Sequence, residues 1–300
     1  MSNITETPPE VSTQTSKKKM KRPLGFYVAG GWMAMLAFFI VFGDLLPLRE
    51  WDNFSYEFTG SAPFRDGFFF GTSLDGMDLL PGIINGTRIS ILVSFFSVFL
   101  GGAIGSFIGI TAAYYRGTYD VITTAIFNVM LSIPNLVLSL ALLATLAYED
   151  GNNPTTTTRR VMVLILSLTI VIIPILGRIA RASTLQWSNR EFVLASKSIG
   201  TKNFTIIKKH ILPNIAPALF SIGFLAVGAV IIVEGSLAVL GIGIPGGASW
   251  GSMLAIGRNN IEFSPHEVYI PSIFIAATVI SCNWFGDYIR ASFDQRESKI

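Results

Sequence analysis

Charge is scarce in this chain of 300 residues: Asp, Glu, Lys and Arg make up 14% of it, against roughly a quarter in an ordinary soluble domain. Hydrophobic residues make up 51%, a composition that points away from a water-soluble fold. Cysteine occurs once, at Cys282, which excludes an internal disulfide. Histidine occurs twice, and His210 and His266 fall on opposite sides of the topology derived below, so they cannot share a catalytic constellation. No Gly-x-x-x-x-Gly-Lys-Ser/Thr loop is present, so nothing in the chain could cradle a nucleotide's phosphates. No internal repeat is visible either, whereas an ion-coupled secondary transporter would need a coupling-ion site and usually shows inverted repeats. The first apolar run is too long for a signal peptide and has no small-x-small cleavage site before Asp44, so it reads as a retained anchor.

What the chain does have is long uncharged runs. They cover Pro23–Gly43, Ile89–Tyr115, Val121–Tyr148, Val161–Gly177, Ile211–Val233 and Val268–Gly286. About 20 apolar residues cross a bilayer core, so the expected fold is an all-α polytopic membrane protein with six transmembrane helices. Charge then sets the direction. The N-terminal tail ends in Lys17, Lys18, Lys19, Lys21 and Arg22, and the loop Arg178–Asn214 carries seven Lys/Arg against the single Glu191. The segment Leu48–Arg88 carries three Arg against six acids. Both termini, the short Arg116–Asp120 turn and the loop Arg178–Asn214 are therefore expected in the cytoplasm. Arg159 and Arg160, on the outer side, run against this bias. The expected divisions are a cytoplasmic basic tail (1–22), a first transmembrane helix (23–47), an extracytoplasmic segment (48–86), a core with helices two to six (87–290, loop 178–214) and a C-terminal tail (291–300). The basic tail reads as topogenic, not as a nucleic-acid arm.

The polar island from Ser188 to Asn214 is the most informative stretch. Ser188 and Glu191 have the spacing of a capping box, and Gly200 stands where a left-handed helix end is wanted. The pattern predicts a short helix over Asn189–Ile199, a glycine turn, a second helix over Asn203–Lys209 and a stop at Pro213. This layout resembles the cytoplasmic loop of importer-type ATP-binding-cassette permeases, with its Glu-Ala-Ala, three residues, Gly, nine residues, Ile-x-Leu-Pro. Ala195, Gly200, Leu212 and Pro213 fall in register, Leu194 and Ser196 replace the Glu and the second Ala, and His210-Ile-Leu-Pro fills the last slot as in the peptide-permease branch.

Three further elements are similar to that branch. Gly71-Thr-Ser-Leu-Asp75-Gly-Met77-Asp78 resembles Gly-Thr-Asp-x-x-Gly-Arg-Asp, with Met77 in place of the Arg. Asp75 and Asp78 read as turn and helix-cap residues and not as a metal site, since no further ligand accompanies them. Glu234-Gly-Ser-Leu and Trp250-Gly251 match the fifth helix and the connection after it. Asn283-Trp-Phe-Gly-Asp287-Tyr-Ile-Arg290 matches the end of the last helix, where Asp287 and Arg290 are i,i+3 neighbours able to pair. Glu234, an acid within an uncharged run, either lines the pathway or pairs with a neighbouring chain or backbone group. Gly101, Gly102, Gly105 and Gly109 are expected to let helices pack closely within the subunit. Pro134 and Pro174 are expected to kink their helices.

The resemblance is to the second, C-type permease subunit of dipeptide, oligopeptide or nickel importers. It implies the type I importer permease fold with a coupling helix, placing ATPase contact on Glu191, Ala195, Gly200, His210, Leu212 and Pro213. It implies a sister permease, two ATPase subunits that use ATP and Mg, an extracytoplasmic binding protein, a peptide cargo (nickel or another small solute as the alternative) and a bacterial inner-membrane location. It implies no catalysis and no cofactor bound by this chain.

Overall fold

The computed structural model describes residues 24–49, 53, 55–146, 156–244, 246 and 249–297. Among them the ordered elements are α1 (Leu24–Phe42), α2 (Leu79–Tyr115), α3 (Gly117–Ser132), α4 (Asn135–Leu146), α5 (Thr157–Ser188), α6 (Glu191–Ser198), α7 (Asn203–Ile206), α8 (Leu212–Leu237), α9 (Trp250–Gly257) and α10 (His266–Glu297). Five stretches are long and apolar enough to cross a membrane, and the bent pair α3–α4 makes a sixth. The basic tail and the connection 147–155 lie outside the described residues.

Two helices begin well before the uncharged runs that signal them. The run at Ile89 is preceded by a helix start at Leu79, where Asp78 accepts a hydrogen bond from the Leu80 N–H at 3.1 Å. Arg88 does not end that helix, because Asp44 beyond α1 pairs with it at 2.5 Å and the Ile40 carbonyl accepts from its Nε at 3.0 Å. The fourth span, the shortest in the sequence, belongs to a helix of 32 residues capped by Thr156 that continues through Pro174.

Pro134 does more than kink its helix. α3 and α4 meet at 88°, because the residue before a proline is driven out of the helical region: Ile133 has φ −86° and ψ 126°. The predicted Arg116–Asp120 turn is tighter than expected. Arg116 and Gly117, at φ 57° and 68°, reverse the chain between them, and Asp120 is already helical. Its carboxylate accepts two hydrogen bonds from Arg181, at 2.6 and 2.7 Å, tying α3 to α5.

The closest helix pair is α2 with α5. A side chain at Gly105 would collide with the Ile173 carbonyl, and one at Gly109 with the Gly177 carbonyl. The glycine stripe thus serves packing inside the subunit, where close backbone approach replaces the hydrophobic drive that lipid cannot supply. α1 lies against α10, with Trp32 Nε1 donating to Thr278 Oγ1 at 3.0 Å.

Candidate functional site

Two constellations stand at opposite ends of the bundle. At one end, the loop from Ser188 to Asn214 folds as a compact knob on the ends of α2 and α5. Its underside is buried: Val193, Ile206, Ile211 and Ile215 pack with Ile110, Tyr114 and Ala180. Tyr114 donates its hydroxyl to Asn203 at 2.9 Å, Lys197 sits over the Tyr114 ring, and Arg116 donates to Asn189 at 2.7 Å. The outer side is apolar and bare. Ile199 is 82% exposed and Phe204 73%, with Phe192 and Leu194 beside them. Glu191, Ala195 and Gly200 are exposed as well, as are Leu212 and Pro213 at the start of α8, while His210 is half-buried against Phe192.

The glycine turn is built as expected. Gly200 has φ +78°, its N–H bonds the Lys197 carbonyl and Thr201 N–H bonds the Ser196 carbonyl, the two bonds of a Schellman end. The capping box is not. Ser188 is the last residue of α5, buried, and donates its hydroxyl to the Leu185 carbonyl at 3.2 Å. α6 instead starts after Arg190, which has extended backbone and no side-chain cap. A Ser-x-x-Glu pattern cannot signal that the preceding helix has yet to end. Nor does Pro213 stop a helix. α7 runs through a π-turn, Ile207–Ile211, into α8, and Leu212 N–H reaches back five residues to Ile207. The widened turn accommodates a proline that can neither donate nor fit over the carbonyl four residues back. Asn214 Nδ2 donates to His210 O at 2.6 Å.

At the far end lies a buried polar node. Glu234, 1% exposed, accepts from Ser249 Oγ at 2.7 Å and from Ser90 Oγ at 3.5 Å. Ser249 also caps α9, accepting from Ser252 N–H, and Ser252 Oγ donates to the Ile244 carbonyl. Trp250, fully buried, donates Nε1 to Ile83 O at 3.0 Å and its backbone N–H to Ser90 Oγ at 3.2 Å. Gly251 is needed here: a Cβ would stand 2.7 Å from Gly235 Cα and 3.0 Å from Glu234 Oε2. Glu234 thus partners side chains of its own chain on α2 and at the start of α9. Spacing could not reveal Ser90, which lies 144 positions away.

The segment before α2 braces this end. Gly71 has φ +80° and packs against the Ser61 carbonyl and His266, whose Nε2 lies 2.9 Å from Thr72 O. Asp78 caps α2, Asp75 points to solvent, and Met77 is buried in the core beside Trp250. Among the described residues no group of three His, Cys, Asp or Glu side chains is placed to hold a metal. Among the described residues, Asp287 and Arg290 are both exposed and form no ion pair. In water, an i,i+3 pair gains too little to hold two mobile side chains together.

The family model for binding-protein-dependent transport system inner membrane components matches residues 105–299. The chain belongs to this family. It is a non-catalytic transmembrane permease subunit of a binding-protein-dependent ABC importer, in the peptide and nickel branch to which the loop and far-end motifs pointed. The glutathione transport system permease protein GsiD of Pectobacterium atrosepticum is 30% identical over 272 residues, 90% of this chain and 86% of that protein. GsiD of Escherichia coli O1:K1 is 31% identical over 253 residues, 84% and 80% of the two chains. In fold, the permease matches a chain of the inward-facing MetNI methionine ABC transporter at a TM-score of 0.57 and 19% identity, covering 71% of this chain and 97% of that one.

Proposed function

We propose that this permease imports di- or oligopeptides, forms half of the translocation pathway with a sister permease, and receives the motion of two ATPase subunits through Ser188–Asn214. One observation carries the coupling role. The knob is rigid beneath and apolar outside, with Ile199 and Phe204 largely exposed beside Phe192, Leu194 and Ala195. An exposed apolar patch rimmed by polar residues marks a protein contact, and Lys202, Lys208 and Lys209 are exposed in the same loop. The Asp120–Arg181 pair and the Tyr114–Asn203 bond join the knob's supports to α2, α3 and α5, so force applied to α6 reaches spanning helices directly.

The cargo reading is supported by relatives named for glutathione, a peptide. The charge bias supports a knob, N-terminus and C-terminus in the cytoplasm and the node around Glu234 toward the outside. An extracytoplasmic binding protein would then deliver substrate at the far end.

The test has two parts. Ala62→Cys and Ser198→Cys are exposed sites at the two ends, and the native Cys282 is buried. An impermeant thiol reagent should label the first in intact cells and the second only after the cells are opened. Labelling of Ser198→Cys in intact cells would reverse the orientation. Uptake of a labelled dipeptide by the complete transporter, dependent on ATP and the binding protein, tests the cargo, and uptake of nickel without peptide would replace it.

A further inference from the structure

Arg160 is left over by the topology argument, a cation on the side where cations are few. It is the fourth residue of α5, one turn inside a helix end whose dipole is positive. Arg160 borders a cleft of about 200 Å³ between α4, α5 and the π-turn Ala238–Ile242 that follows α8. Much of the wall is apolar: Leu143, Leu164 and Ile244 are all buried. Within this setting Arg160 Nε is buried and has no hydrogen-bond partner among the described residues. A buried donor left without an acceptor is costly, and a charged one more so.

Gly241, with φ 88°, lines the same cleft and places no side chain in it. A carboxylate answers the unpartnered donor, since its two oxygens match the fork of a guanidinium. Apolar walls beside the fork suit the side chain that a peptide carries next to its terminal carboxylate.

We infer that this cleft is a subsite for the C-terminal carboxylate of the transported peptide, with Arg160 as its anchor. The inference rests on the peptide reading above. In the proposed orientation the cleft lies at the outer end, where cargo would enter.

The test places a thiol in the cleft of the assembled transporter. Ala144 is exposed and lines the cleft, and buried Cys282 contributes little background when modification is read on this chain by mass. Ala144→Cys should react faster with an anionic than with a cationic methanethiosulfonate. Adding Arg160→Gln should lower that rate ratio about tenfold, the worth of one charge-assisted hydrogen bond, whereas Arg160→Lys should keep most of it. A dipeptide with a free carboxylate should slow modification, and its C-terminal amide should not. An unchanged ratio in Arg160→Gln overturns the proposal, whatever the peptides do. Equal protection by acid and amide also overturns it, as does protection by neither, the result expected if an acidic side chain of this chain filled the cleft. Absence of dipeptide uptake by the wild-type transporter would overturn the peptide reading instead. The reagent ratio needs no substrate and would still decide for or against Arg160 as an anion anchor.

Discussion

The node around Glu234 and the knob around Gly200 use their side chains in opposite ways. In the node, Glu234, Ser249, Ser252, Ser90 and Trp250 satisfy one another and are almost wholly removed from solvent. In the knob, a few buried residues hold the base while Ile199 and Phe204 are largely exposed and Phe192, against Trp187 and His210, is partly so. An element that completes its interactions internally is built for rigidity. One that leaves apolar groups unburied is built for another surface. The contrast makes a specific demand on mutants: changes in the node should cost stability, and changes on the knob's outer side should cost association.

The largest stability loss is expected from Trp250→Ala, which opens a cavity among Ile83, Phe274 and Met253 and removes the indole hydrogen bond to the Ile83 carbonyl. About 3–5 kcal/mol should go, seen as a lower melting temperature of the purified permease. Glu234→Ala comes next, because it leaves the hydroxyls of Ser249 and Ser90 short of an acceptor, at roughly 1–3 kcal/mol for a stranded group. Glu234→Gln keeps an acceptor for Ser249 and should lose about 1 kcal/mol or less. A Glu234→Gln permease that melts like wild type yet transports poorly would move Glu234 from brace to pathway. Gly200→Val forces a branched side chain into a left-handed backbone and should cost about 1–2 kcal/mol, confined to the knob. Phe204→Ser should change stability by about 0.5 kcal/mol or less, while weakening ATPase retention in pull-down. A large stability loss in that variant would mean that the outer side is not free, and the comparison would fail.

The node and the knob also differ in how far sequence reveals them. The first helix is legible almost to the residue, Pro23–Gly43 against Leu24–Phe42, because a proline and a Gly-Asp pair punctuate it. The second is not, because the charge that closes the uncharged run, Arg88, is neutralised by Asp44, a partner 44 positions away. Gly200 could be read because a Schellman turn is local. Ser188 was misleading for the same reason: whether α5 has ended depends on packing that buries Ser188, not on its neighbours in sequence. Pro213 looks like a stop because a π-turn has no signature in a propensity scale. Glu234 announces itself as an acid in an apolar run, yet its partners come from α2 and from the residue before α9, and no periodicity links them.

The central claim, that Ser188–Asn214 transmits ATPase motion while the node around Glu234 braces the fold, is tested most directly by Ala195→Asp. Ala195 is exposed on α6, so an Asp there is solvated in the free permease and becomes an unpaired charge only when covered by a partner. The measurement is co-purification of the ATPase subunits with the complete transporter, alongside the melting temperature of the permease and hydrolysis stimulated by loaded binding protein. The account predicts an unchanged melting temperature with loss of the ATPases and of stimulation. Wild-type retention and stimulation in Ala195→Asp would contradict it.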